Sequence, residues 1–248
     1  MTRFKSILDI GVTVLVVVAA SIVIWRQFVP TGRSQFPSPV EDAKGMIPAE
    51  LATVVRGTGQ VALIEFSDFQ CPFCGHHARD VEPLIRRAFI EAGLLREVFI
   101  NYPLSNHPNA QIASEAAMCA GNQGKFWEMH DALFLNQAAL GESDLTDRAR
   151  EVGLNLALFS KCVRGGETRQ VIERHKSAGR AFSVQSTPSF FVGLVRSDGS
   201  VELKKRISGA LPFSEFRSAI LAITPKELRG RVGEVALDVR ASSGEHHR

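Results

Sequence analysis

Cys71 and Cys74 enclose the dipeptide Pro72-Phe73 at the end of an apolar run, Val61-Ala-Leu-Ile-Glu-Phe-Ser-Asp-Phe69. A strand that stops at Cys-x-x-Cys and restarts as a helix puts the first thiol at a helix N-terminus. There the unpaired backbone N–H groups and the helix dipole favour a thiolate. Cys74 lies one turn further in, where burial raises a thiol pKa, so Cys71 is expected to be the exposed, nucleophilic member. A thiolate facing a second thiol is the least apparatus that exchanges disulfides. Zinc takes two more ligands at short spacing. His76 and His77 adjoin the pair, but neighbouring helix positions do not converge with both thiols, and Cys119 and Cys162 lack an x-x-Cys partner. A purely structural bridge over so short a loop removes almost no chain entropy. The redox reading therefore leads, with no metal and no cofactor beyond the Cys71–Cys74 pair.

The surrounding pattern is strand, helix, strand, then a helical block, then two strands and a helix. Residues 61–66 read as a buried strand. Val81, Leu84, Ile85, Ala88 and Phe89 follow at helical spacing, with Pro83 expected to kink the helix and Gly93 to cap it. Glu97-Val-Phe-Ile-Asn-Tyr102 gives the second, parallel strand. Helical segments follow near 112–121, 126–136, 145–152, 157–163 and 168–178. Residues 189–196 and 201–207 form a hairpin around Asp198-Gly199, and Pro212 opens a last helix facing inward through Phe213, Phe216, Ile220 and Ile223.

The chain has 248 residues, ample for a core, and a net charge of +3 with scattered Lys and Arg, which excludes a nucleic-acid footprint. Arg3 and Lys5 precede an apolar stretch, residues 10–25, about long enough to cross a thin bilayer. Ile22-Val-Ile-Trp25 continues past Ala19-Ala20-Ser21, which argues for an uncleaved transmembrane anchor over residues 1–28 rather than a signal peptide. Residues 29–57, rich in Pro and Gly, read as a flexible linker, residues 58–223 as the folded domain with its helical insertion at about 110–180, and residues 224–248 as a disordered tail.

Glu65-Phe-Ser-Asp-Phe-Gln-Cys71-Pro-Phe-Cys74, Gly124-Lys-Phe-Trp-Glu-Met-His130 and Ser186-Thr187-Pro188-Ser-Phe-Phe191, in this order, resemble the DsbA family of thioredoxin-fold proteins over residues 58–223. The resemblance implies an α/β thioredoxin fold with a helical insertion, preceded here by the transmembrane helix. It implies Cys71 as nucleophile, Cys74 as its buried mate, and a cis Thr187-Pro188 bond abutting them. Thr187, Pro188, Pro72 and Phe73 would face the substrate. It places Glu65 beneath the disulfide, where a buried carboxylate can relay the Cys74 proton; the competing role is a structural pair with a buried Lys or Arg. Asp68 reads as a turn residue, His107 as a loop residue near the site, and His130 as a hydrogen-bonded core residue.

Cys119 and Cys162 are either a structural disulfide closing a loop of some forty residues, worth about 4 kcal/mol in the chain-entropy model, or two small buried hydrophobes. An even cysteine count behind an export-type N-terminus favours the disulfide. The resulting expectation is a single-pass protein of the bacterial inner membrane with its catalytic domain in the periplasm. It would oxidise exported proteins and be reoxidised by a quinone-linked partner of the DsbB type. Alternatives are an isomerase or reductase of the same fold, or a thiol-based metal- or peptide-binding module. A Pro-Phe dipeptide without histidine points to a milder oxidant than the strongest family members.

Overall fold

The computed structural model describes residues 39–228. The strands, in chain order, are β1 (Val40–Asp42), β2 (Met46–Ile47), β3 (Val55–Arg56), β4 (Val61–Ser67), β5 (Leu95–Asn101), β6 (Ser189–Val195) and β7 (Val201–Ser208). They form one sheet in the order β1-β7-β6-β4-β5-β3, with β2 also on β7. All seven residues of β4 are buried, as a central strand covered on both faces requires. β4 runs parallel to β5, pairing Glu65 with Phe99, and antiparallel to β6, pairing Glu65 with Phe190.

The helix after Cys71, α1, runs without a break through Pro72–His76, His77–Val81, Glu82–Ile85 and Arg86–Ile90. The second and fourth pieces are wound as π turns. Pro83 sits where one such turn hands over to α-helix, so its missing N–H is absorbed by local rewinding. α1 and the C-terminal helix α7 (Phe213–Ile223) cover one sheet face through Val81, Ile85, Phe89, Phe216 and Ile220. α6 (Arg169–Ala181) and Phe182 cover the other, against Ile64, Phe66, Ile100 and Phe191. Between the halves lie α2 (Ala110–Gly121), α3 (Phe126–Leu135), α4 (Glu142–Glu151) and α5 (Leu156–Gly165), packed around Met129, Leu133, Phe134, Leu145 and Phe159. The result is a thioredoxin-like α/β fold with a helical insertion.

One boundary expectation changes. Within the segment read as a linker, residues 40–56 contribute three short strands: β1 and β2 extend the edge of β7, while β3 pairs with β5. Short polar segments rich in proline look like linkers but pair well as edges, where few N–H groups need partners. The stretch expected to span a membrane, residues 10–25, lies outside the described residues, as does the tail from 229 onward. Among the described residues no helix is long and apolar enough to cross a membrane. α1, the longest, carries Arg79, Asp80, Glu82, Arg86 and Arg87.

In the insertion, Cys119 of α2 and Cys162 of α5 form a disulfide with their Cα atoms 5.8 Å apart, closing a sequence separation of 43. Replacing both by alanine is expected to lower stability by about 2–4 kcal/mol. A denaturant titration of the fully folded variant, read against the parent at the same pH, checks this; an unchanged midpoint would show the bridge to be idle.

Candidate active site

β4 ends beside a turn in which the Cys71 N–H donates to the Asp68 carbonyl, at 3.1 Å. Cys71 precedes the first helical residue, Pro72, whose fixed φ and missing N–H suit that position. Both thiols are free in this structure. Cys74 is fully buried, and Cys71 is 4% exposed rather than open as its place at a helix start implied. The cover comes from Thr187: the Cys71 thiol lies 3.3 Å from the Thr187 carbonyl oxygen, to which it donates. The Thr187-Pro188 peptide is cis. Pro72 is exposed, and Phe73, at 65%, is among the most exposed large apolar side chains described.

The two sulfurs have opposite electrostatics. The neighbouring Cys74 thiol does most to bring the Cys71 thiol down, to about 5; burial opposes this, while the Thr187 side chain and the backbone N–H groups of Cys74 and Phe73 assist. Burial above all, then the Cys71 sulfur, push the Cys74 thiol well up, and Glu65 adds to this wherever it is ionised. One thiol is thus a ready thiolate at neutral pH and the other holds its proton.

Glu65 is 1% exposed, and neither carboxyl oxygen has a hydrogen-bond partner among the described residues. Among the described residues no Lys or Arg pairs with it, and the basic atom facing it is His77 Nε2, 3.8 Å away. Burial, then Glu97, hold its carboxyl well above the usual carboxylate range. His77 is itself fully buried between Phe190 and Phe216, and burial takes its ring down to about 3, so it stands there neutral. His76 instead faces Asp80, 2.7 Å away, so neither histidine joins the thiols.

Beneath the site lies a cluster that sequence reading missed. Arg56 of β3 donates through Nε to Glu97 of β5 at 3.0 Å, and its Nη2 reaches Glu97 and Glu82 of α1. Its guanidinium rests 3.9 Å from the centroid of Trp127. Burial, then Glu82, raise the Glu97 carboxyl to about 7, with Arg56 pulling the other way. His130 Nδ1 lies 2.8 Å from Asp131 and its Nε2 3.7 Å from Glu82. A carboxylate just before the apolar run Val98-Phe-Ile100, in a strand between Leu95 and Ile100, is the signal available for Glu97, akin to the one that singles out Glu65.

Asp68 is fully buried and does more than turn the chain. It accepts from the N–H groups of Gln70 and Leu104 and lies 2.7 Å from His107 Nδ1, tying the loop after β5 to the approach of Cys71.

A family model described as "Thioredoxin" matches residues 53–208. The fold superposes with a TM-score of 0.57 on alpha-DsbA1 of Wolbachia pipientis, 18% identical, covering 75% of this chain and 93% of that one. A thioredoxin-like oxidoreductase from Silicibacter pomeroyi DSS-3 is 25% identical, with a TM-score of 0.57 over 69% of this chain and 94% of that one. Among curated proteins, the Na(+)/H(+) antiporter NhaA 1 of Salinispora arenicola is 37% identical over 153 residues, 60% of this chain and 23% of its own length. The chain thus spans about a quarter of the length of the curated relatives it matches. These antiporter relatives, with the absence of a membrane-crossing helix among the described residues, overturn the expected single-pass placement in the inner membrane. The chain belongs to the thioredoxin family and has the fold of its DsbA-like thiol–disulfide oxidoreductases.

Proposed function

We propose that the chain forms disulfides in protein substrates, with Cys71 as the exchanging sulfur and Cys74 as its resolving mate. The observation that carries this reading is the split between a Cys71 thiol brought down to about 5 and a Cys74 thiol pushed up. A stabilised thiolate favours the reduced pair, so the oxidised pair is a good acceptor of electrons. A substrate thiolate attacks the Cys71 sulfur of the Cys71–Cys74 disulfide. The new S–S bond forms as the old one breaks, and Cys74 leaves with the electron pair. Because Cys74 favours its protonated form, it leaves best when handed a proton, and the protonated Glu65 carboxyl is the proposed donor. A second substrate thiolate then attacks the substrate sulfur of the mixed disulfide and releases Cys71 as thiolate. Two electrons have passed from substrate to protein, and the pair is itself the redox group. Thr187, Pro188, Pro72 and Phe73 are the proposed substrate-facing residues, the exposed Phe73 supplying apolar contact. A quinone-linked protein of the DsbB type is the proposed reoxidant.

The test is equilibration with glutathione buffers and turnover of a reduced dithiol peptide. The expected result is peptide oxidation and a potential more positive than about −200 mV, towards the oxidising members of the superfamily. A value near about −270 mV, that of thioredoxin, would overturn the oxidase reading in favour of a reductase.

A further inference from the structure

The turn between α3 and α4 sends Gln137 out of the insertion and onto the redox segment. Its Nε2 donates to the carbonyl oxygens of both Phe69 and Cys71, each at 2.8 Å. Two acceptors leave no choice of orientation, since a flipped amide would set its own oxygen against both carbonyls. The amide oxygen lies 3.5 Å from Arg79 Nη1, which donates to the Phe134 carbonyl at the end of α3 at 2.8 Å. The fold also keeps room for this side chain. A Cβ on Gly75 would fall 2.0 Å from Gln137 Oε1 and 2.7 Å from Arg79 Nη1. An alanine at position 75, the better helix former, would thus have to push aside the ends of Gln137 and Arg79.

We propose that Gln137 is a positioning residue for the redox pair. By taking up both N–H groups of its amide with the carbonyls flanking Gln70, it fixes the Cys71 sulfur between the helix N-terminus and Thr187. It also satisfies two carbonyl dipoles next to a sulfur that must carry negative charge. The inference rests on Cys71 being the exchanging thiol. It makes the insertion, pinned elsewhere by Cys119–Cys162, a working part of the centre. Gln137→Met keeps the volume and removes both donors, leaving the Cys71 carbonyl with the Gly75 N–H alone, at 3.1 Å, and taking from the Phe69 carbonyl its Gln137 donor.

The experiment titrates Cys71 by ultraviolet thiolate absorbance in the full chain, alongside near-ultraviolet circular dichroism as a check on packing. Gln137→Met is expected to raise the Cys71 pKa by about one unit, the equivalent of one lost hydrogen bond. Gln137→Glu, which aims a carboxylate at the same carbonyls, is expected to raise it further. Gly75→Ala is expected to mimic Gln137→Met by displacing the amide, and to add much less in a Gln137→Ala background, where only the flexible end of Arg79 is met. A well-packed Gln137→Met protein whose Cys71 titrates as in the parent would overturn the proposal. So would a Gly75→Ala shift that is the same with or without Gln137. The titration needs no substrate, so a parent protein that oxidises no peptide would count against the oxidase reading through a separate measurement.

Discussion

Replacing Arg56 by methionine is expected to destabilise the domain by about 3–5 kcal/mol at pH 8, although the residue touches neither sulfur. Arg56 is the cation bonded to two carboxylates, Glu82 and Glu97, that are 2% and 1% exposed. Methionine keeps the aliphatic stem but not the guanidinium that lies over Trp127, so the loss is one of charge, hydrogen bonds and the cation–π contact more than of volume. The pH dependence follows from Glu97. Its folded-state pKa, about 7, lies above the ordinary 4.5, so burying it costs nothing below about 4.5 and costs most above about 7. Without Arg56, which pulls that pKa down, the cost grows at high pH and stays absent at low pH. The deficit of Arg56→Met should therefore be large at pH 8 and shrink as the pH approaches 4.5. Urea unfolding of both proteins across that range measures it; a deficit constant with pH would mean that the carboxylates are not its source.

Glu65→Gln is expected to slow the step in which Cys74 departs by about 100-fold, the lower end of what a positioned proton donor contributes. Glutamine has the shape of the protonated acid but no acidic proton to give. The two effects on the protein have opposite signs, which separates chemistry from structure. A carboxyl whose folded pKa is raised weakens the fold as pH climbs past its ordinary 4.5, whereas glutamine is uncharged throughout. The variant should thus be at least as stable as the parent at pH 7 and above while being slower. The rate gap should close at high pH, once Glu65 in the parent has lost its proton. Stopped-flow mixing of the oxidised protein with a thiol peptide, followed by tryptophan fluorescence, gives the rate. Equal rates at neutral pH would remove Glu65 from the mechanism.

The framework was legible where patterns are local. Cys71 to Cys74, the parallel pair around them and the Asp198-Gly199 hairpin each announce themselves within a few residues, and β6 and β7 fall within a residue or two of expectation. Glu65 stood out because a charge in a buried strand has a known cost. What stayed hidden depends on residues far apart in sequence. Arg56 meets Glu97 at a separation of 41 and Gln137 meets Cys71 at 66, whereas the approach of Thr187 to Cys71, at 116, was expected from the resemblance alone. The burial of Cys71 belongs with these. A helix start looks open until a distant loop lays its carbonyl over it. Arg56 was further disguised by a segment whose prolines and glycines resemble a tether.

The short strands on either side of the sheet have a meaning for the company this protein keeps. The rows bordering β7 and β5 are two or three residues long, too brief to template the pairing of a foreign strand. A protein whose proposed clients are chains with thiols still free would meet many unpaired strands. Blunt sheet margins deny such clients a place to add on, which leaves the face around Cys71 and Phe73 as the place to be held. Capture is then brief by design, because a bond that thiol exchange makes it can also undo.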